Sequence, residues 1–229
     1  YQNSTCFVSA YFLKHHQNVQ YLEQAKTLLE DEISHKLLVA VDAIVQEHID
    51  GLENWDGTFD LNGSCLLQFA PTSWQAKQGE EFKYQNFYAR YNLDYESNII
   101  GGDSNHWWLS TFLKNDIERI VFSFSPYYYN YKEKVNKMKW SKFANEQNQL
   151  IPQIEQEGFK FNASNGFWYL IVDGIEPKTV IEGYENDDLA DALIPITDAL
   201  DKIKQAHPYF DQIVQAAIEK FGRVEEETV

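Results

Sequence analysis

A block of strand-type sequence between helical stretches constrains the fold of this chain more than any other feature. Residues 17–50 carry apolar side chains at helical spacing, and Gly51 is a typical helix end. At about 1.5 Å per residue such a helix is roughly 50 Å long, which exceeds a small domain, so we expect a break or a projecting end. Residues 52–131 then change to aromatic and β-branched composition.

Four segments of this block have strand composition, and Asn62-Gly63 is a turn signal typical of hairpins. We therefore predict four or five antiparallel strands in this part of the chain. The four segments are TFDLNGSCLLQF (58–69), EFKYQNFYARYNLDY (81–95), NHWWLSTFL (105–113) and RIVFSFSPYYY (119–129).

The chain returns to helical composition over residues 132–157, where Pro152 starts a new turn or kinks the helix. GFWYLIVDGI (166–175) then predicts an apolar strand. KTVIEGY (178–184) predicts its hairpin partner, with the turn at Glu176-Pro177.

Two helices are predicted at the C-terminal end. Asn186 is a good N-cap, and the apolar residues after it keep helical spacing, which Pro195 disturbs but does not abolish. His207-Pro208 predicts the start of a second helix, which Gly222 ends.

The order of these elements is segregated rather than alternating, which favours an α+β fold. We predict an antiparallel sheet of about five to seven strands packed against a long N-terminal helix and C-terminal helices. Residues 1–51 are the N-terminal helical segment and residues 52–229 the α+β domain, joined in one compact unit. Because the chain starts at Tyr1 and not at Met, we expect it to be a piece of a longer protein.

The charge balance narrows the classes of partner. The chain has 35 acidic and 19 basic residues, a net charge of −16. Such a surface repels nucleic acids and anionic membranes at long range and favours a basic partner. No apolar run reaches the roughly 18 residues that a membrane helix needs, so we expect no membrane contact.

Cysteine content and the lack of catalytic motifs add two expectations. Cys6 and Cys65 either form a disulfide or stay reduced, and two cysteines are a common count in a reduced cytoplasmic chain. No phosphate-binding loop, nucleophile elbow or cysteine–histidine arrangement is present. This weighs against an enzyme, although scattered carboxylates leave no local signature, and we predict no cofactor.

Residues 125–142, SPYYYNYKEKVNKMKWSK, form a basic segment with five lysines and one glutamate in an otherwise acidic chain. Lysines pair with phosphates and aromatic rings stack on bases, so the segment is a candidate nucleic-acid contact. It is equally a solvated helix start, or a docking surface for an acidic patch on a partner or another subunit. Given the acidic surface, we predict no nucleic-acid binding by the isolated chain. The candidate binding residues are Lys132, Lys134, Lys137, Lys139, Trp140, Tyr127, Tyr128 and Tyr129.

VDGIEPK (172–178) contains an acid and a lysine in the order Glu176-x-Lys178, after an apolar strand. In PD-(D/E)XK nucleases an acid and a lysine in that relation hold Mg²⁺ and assist the attacking water. Asp173 in the same segment is a further candidate acid. Proline between them is poorly suited to a central strand, so the alternative is a turn.

Asp103 and His106 precede a predicted strand and form the one candidate metal or base site among the histidines. The alternative is a loop hydrogen bond between the two side chains.

Three stretches resemble the region that follows the nuclease core in large bacterial PD-(D/E)XK-type proteins, some of them linked to phage defence. They are QFAPTSW (68–74), HWWLSTFLKNDIERIVFSFSP (106–126) and DLADALIPITDALDKIKQAHPYFDQIV (188–214). The family's catalytic acids are not matched apart from Glu176 and Lys178. The resemblance therefore implies an accessory or recognition domain, with any nuclease core elsewhere in the protein.

Three functions follow as hypotheses. The first is a non-catalytic interaction or sensing domain of a larger bacterial protein, bound to a protein partner or to an upstream domain. The second is an acidic inhibitor or immunity-type protein that covers a basic surface, which clustered acids would favour. The third is a metal-dependent nuclease-related domain.

Overall fold

The computed structural model describes residues 16–76, 82–101, 108–113 and 118–223. Its first element is one continuous helical run, composed of α1 (His16–Thr27), a π-helical stretch (Leu28–Ser34) and α2 (His35–Asp50). The long N-terminal helix is thus confirmed. Residues 21–28 are exposed, whereas α2 buries Leu37, Val41 and Val45 on one face, so the helix both changes its winding and projects at its N-terminal end.

Six strands form a single sheet in the order β1-β2-β3-β4-β6-β5, and every neighbouring pair is antiparallel. The α+β class with an antiparallel sheet of five to seven strands is therefore confirmed. The strands are β1 (Trp55–Asp60), β2 (Leu66–Pro71), β3 (Ala89–Tyr95), β4 (Ile120–Pro126), β5 (Lys160–Asn162) and β6 (Phe167–Ile171).

The predicted hairpin at Asn62-Gly63 is present, and a helical turn, α3 (Leu61–Ser64), connects its strands. The Asp60 carboxylate caps this turn by accepting a 3.2 Å hydrogen bond from the amide of Gly63. A β-carbon at Gly63 would lie 2.5 Å from Oδ1 of Asp60, so the cap requires glycine there. Asp42 on α2 also accepts the amide of Leu61, which ties the hairpin to the helix.

Six further helices surround the sheet in the described part of the chain. They are α4 (Glu96–Ile100), α5 (Trp108–Phe112), α6 (Lys137–Leu150), α7 (Gln153–Gln156), α8 (Pro177–Glu185) and α9 (Ile194–Phe221). Pro152 begins the new turn of α7, as one of the two alternatives predicted.

The strand prediction for residues 105–113 is wrong where it is described, because Trp108–Phe112 is helical. The Trp108 ring lies against Tyr95, with 4.2 Å between ring centroids, and against Phe112. This aromatic packing at the end of β3 outweighs the strand preference of the local sequence.

The strand prediction for residues 178–184 is also wrong, because Pro177–Glu185 is helix α8. Pro177 stands at the first helical position, where proline has no hydrogen bond to lose and its fixed φ suits the helix. Val180 is the residue of α8 that is buried, and the partners of β6 in the sheet are instead β4 and β5.

The C-terminal helices differ from the prediction in two ways. Asn186 caps the end of α8 and not the start of the next helix, which begins at Ile194 with Pro195 in its first turn. A second helix does not start at His207-Pro208, since α9 runs through Pro208 to Phe221. Its buried face stays in phase on both sides of the proline, and this packing offsets the roughly 3 kcal/mol that an interior proline costs.

The main core lies between one face of the sheet and helices α2 and α9. Phe210 of α9 stacks on Phe124 of β4 with 4.6 Å between centroids. The opposite face of the sheet, here called the outer face, carries a second, smaller cluster of Ile99, Val121 and Tyr169. The short helix α4 covers that side of the sheet and leaves polar side chains of β3 beside it.

Candidate functional site

The basic segment does not form one binding surface. The stretch before α6 closes the end of α9, because the amides of Lys132 and Glu133 donate to the carbonyls of Gly222 and Phe221. The Asn136 side chain then caps α6 by accepting a 2.9 Å hydrogen bond from the amide of Lys139. These bonds fix the segment as a structural junction whose lysines project outward.

The four lysine candidates are all exposed, and Lys139 forms an ion pair with Glu133. Trp140 is fully buried and donates a 2.9 Å hydrogen bond to the carbonyl of Gly166, so its ring is unavailable for stacking on a base. Tyr128 lies half-buried against Trp140, and burial raises the pKa of its hydroxyl to about 12. Of the aromatic candidates, only Tyr127 and Tyr129 reach the surface.

The nuclease-type candidates do not lie on a strand. Glu176 is the residue before α8, and Lys178 is in its first turn, with its side chain exposed and paired with Glu182. Asp173 is exposed in the connection between β6 and α8. The relation on a core strand that defines PD-(D/E)XK sites is therefore not formed by these three residues.

Asp103 and His106 lie outside the described residues. Within the ranges that are described, no group of three or more His, Cys, Asp or Glu side chains is placed to hold a metal ion. Cys65 is exposed with a free thiol, while Cys6 again lies outside those ranges. No described helix is both long and apolar enough to cross a bilayer.

A groove of about 560 Å³ crosses the outer face of the sheet. Its floor is formed by β2, β3 and β4, and Asn98 and Ile99 of α4 stand at its edge. Volumes of several hundred Å³ are typical of small-molecule sites. Hereafter it is called the outer groove.

The polar floor of the outer groove follows from strand alternation. Arg90, Asn92 and Asp94 occupy every second position of β3, so their side chains point to the same face. The antiparallel register places Ser125 opposite Arg90 and Ser123 opposite Asn92. Residues 89, 91, 93 and 95 point to the main core instead, and all four are buried.

Arg90 is the unusual group in this groove. Its guanidinium lies 4.7 Å from the centroid of the Tyr84 ring and is half-buried, and desolvation lowers its pKa to about 10, so it stays charged at neutral pH. Its Nε is buried without a hydrogen-bond partner among the described residues. Buried charges in proteins are normally paired, so an arginine without a carboxylate partner, in a chain this acidic, calls for an explanation.

Asn92 carries a second unsatisfied group. Its side chain is buried and donates from Nδ2 to the hydroxyls of Ser125 (2.7 Å) and Ser123 (3.2 Å). Its Oδ1 is buried and accepts no hydrogen bond from the described part of the protein. A buried acceptor of this kind costs roughly 1–3 kcal/mol, which a ligand with a donor group would recover.

The opposite end of the outer groove is negative. Asp94 accepts hydrogen bonds at Oδ1 from the Asn98 side chain (2.5 Å) and from the amide of Tyr95 (2.8 Å). The groove therefore has a cation at one end, a neutral amide between, and a carboxylate at the other end.

Sequence reasoning missed these residues, although a signal was present. The segment YARYNLDY alternates core-facing and polar residues, which shows that Arg90, Asn92 and Asp94 share a face. It does not show that this face remains open, which depends on α4 and on the order of the strands.

A further charged feature is the acidic segment, residues 173–201. It contains nine acidic residues and one lysine, a net charge of −8, which is half of the −16 of the whole chain. All nine acidic side chains are exposed. They are Asp173, Glu176, Glu182, Glu185, Asp187, Asp188, Asp191, Asp198 and Asp201.

Comparisons with family models, with curated proteins and with solved structures gave no significant match.

Proposed function

We propose that this chain is a non-catalytic sensing domain that binds a small ligand with a negatively charged group in the outer groove. In a larger bacterial protein of the nuclease-associated, defence-linked kind that the sequence resembles, it would report that ligand to an activity carried elsewhere.

The observation that carries the proposal is the unpaired, half-buried guanidinium of Arg90. A planar guanidinium pairs with carboxylate or phosphate oxygens through two parallel hydrogen bonds. Tyr84 holds one face of the group, so less side-chain entropy is lost on binding. A ligand oxyanion in the groove would supply the partner that the described chain does not.

The neighbouring serines support binding over catalysis. Ser123 and Ser125 accept from Asn92 and lie 3.2 Å from each other. An amide cannot take a proton from a hydroxyl at neutral pH, so this network orients groups and does not activate a nucleophile.

The test is calorimetric titration of the protein with succinate and with inorganic phosphate at low ionic strength. We expect binding to the native protein, and a loss of at least tenfold in affinity in Arg90→Gln, because a hydrogen-bonded ion pair is lost. Lys137→Gln is the matched control, since it removes the same charge from an exposed site in the basic segment.

Equal binding by the native protein and by Arg90→Gln would contradict the proposal, as would an equal loss in Lys137→Gln. Thermal unfolding of each variant checks that the fold persists.

The acidic segment favours a second candidate function, an inhibitor or immunity-type protein that covers a basic surface. Half of the net charge is concentrated in 29 consecutive residues, which would attract and orient a cationic partner. Polylysine is the probe. Neutralising Glu182, Glu185 and Asp188 should weaken salt-sensitive binding more than neutralising Glu155, Glu157 and Glu219. Equal effects of the two sets would mean that only net charge acts.

A further inference from the structure

The unsatisfied atoms of the outer groove form a pattern that specifies more than an anion. Arg90 presents a buried Nε–H donor, and two residues further along β3, Asn92 presents a buried Oδ1 acceptor, neither partnered within the described residues. A complementary ligand offers an oxyanion at the first position and an N–H donor at the second. Simple dianions such as succinate and phosphate match only the first.

The third feature is the carboxylate of Asp94, two residues beyond Asn92 on the same face. Four residues of an extended strand span about 13 Å, which separates the positive end of the groove from its negative end. An extended tripeptide spans roughly 10 Å, and a hydrogen bond at each end adds a few ångströms. A chain of this length therefore reaches both charged ends at once.

We propose that the ligand of the outer groove is a short free peptide of about three residues, held with its C-terminal carboxylate on Arg90, a backbone N–H on Asn92 and its N-terminal ammonium toward Asp94. This inference rests on the proposed function, because it uses the same arginine and the same groove.

The walls of the outer groove fit peptide side chains without selecting a charged one. Leu66, Ile99 and Phe167 line it together with the polar floor. Apolar side chains of the ligand would contact these residues, while the backbone and the two termini provide the polar contacts. We therefore expect small apolar residues to be preferred to acidic or basic ones.

The decisive experiment is calorimetric titration with Ala-Ala-Ala, its C-terminal amide and its N-acetylated form. We expect each modification to weaken binding at least about tenfold, because each removes a charged hydrogen bond. In Arg90→Gln amidation should make little further difference, and in Asp94→Asn acetylation should make little further difference. Such non-additivity assigns each terminus to its residue.

A length series from dialanine to tetra-alanine tests the spacing, with the optimum expected at about three residues. Lys137→Gln serves as the control and should bind all peptides as the native protein does.

Several outcomes would overturn the inference. Unchanged binding of the acetylated peptide would show that the groove takes the C-terminal tail of a protein and not a free peptide. Absence of tripeptide binding, together with Arg90-dependent binding of succinate or phosphate, would remove the inference and leave the proposed function standing. Absence of any Arg90-dependent binding would remove both.

Discussion

Arg119 and Glu96 form a two-bond ion pair at the outer face of the sheet. Nε of Arg119 lies 2.5 Å from Oε2 of Glu96, and Nη2 lies 2.7 Å from Oε1. Only 6% of the Glu96 side chain is exposed, whereas Arg119 is 47% exposed. The pair joins the start of α4 to the strand that precedes it in the sheet order, and so fixes one edge of the outer groove.

Arg119→Ala is expected to destabilise the protein by about 2 kcal/mol, since it leaves the buried Glu96 carboxylate without its counter-charge. Exposure of the arginine keeps the loss below that of a fully buried pair. Urea denaturation measures it. The comparison is Lys178→Ala, which removes an exposed pair with Glu182 and should cost less than about 0.5 kcal/mol. Similar losses in both variants would contradict the structural role of the Arg119 pair.

Gly166→Ala is expected to destabilise by about 2–4 kcal/mol. Gly166 has a φ of +73°, and a β-carbon there would lie 2.9 Å from Cβ of Ala144 and 3.0 Å from Cδ1 of Trp140. The variant therefore combines a strained backbone with overpacking against α6. Thermal unfolding measures the loss. Gly101→Ala, with a φ of +83° and open space around it, isolates the backbone cost at about 1 kcal/mol.

The elements predicted correctly are those whose pattern is long enough to be decided locally. Helix α2 and strand β3 show clear periods of 3.6 and 2, and both are present. The short run KTVIEGY is different, because its β-branched residues favour a strand while Pro177 suits a helix start. Only contacts far away in sequence decide between these states, so the local composition gave the wrong element.

The candidate site shows the same limit. Alternation along β3 places Arg90, Asn92 and Asp94 on one face, and this is visible in the sequence. Which face is open depends on the strand order and on α4, both set by distant contacts. Conversely, the basic segment stands out in composition, yet Trp140 is buried and Lys139 is paired. Composition identifies unusual residues, but burial decides which of them can act.

The stability of the protein should fall as the pH falls below about 6.5, through His207. Burial lowers the pKa of His207 in the folded state, and the nearby Asp211 opposes this more weakly. Its ring lies against Trp55 and Trp74, and Nδ1 is 3.4 Å from the Tyr91 hydroxyl. The unfolded chain then binds the proton at a higher pH than the folded one, so acid favours unfolding.

The measurement is urea denaturation between pH 8 and pH 5. His207→Gln should reduce the slope of stability against pH, while the difference between the two proteins at pH 8 reports the lost contacts alone. An unchanged slope in the variant would assign the pH dependence to other groups.

The isolated chain is expected not to bind nucleic acid through its basic segment. If each of five lysines contacted a phosphate, the logarithm of the binding constant would fall with the logarithm of salt with a slope of roughly −4 to −5 on duplex DNA. Stacking would be needed in addition on a single strand, yet Trp140 is buried and Tyr128 lies against it.

Fluorescence anisotropy with short labelled single-stranded oligonucleotides, at low and at about 0.15 M salt, measures this binding. The native protein and a variant with Lys134, Lys137 and Lys139 replaced by Glu should both leave the anisotropy unchanged at micromolar protein. Micromolar binding that the triple variant loses would show that Tyr127 and Tyr129 suffice as a stacking surface, and would make the basic segment a nucleic-acid contact.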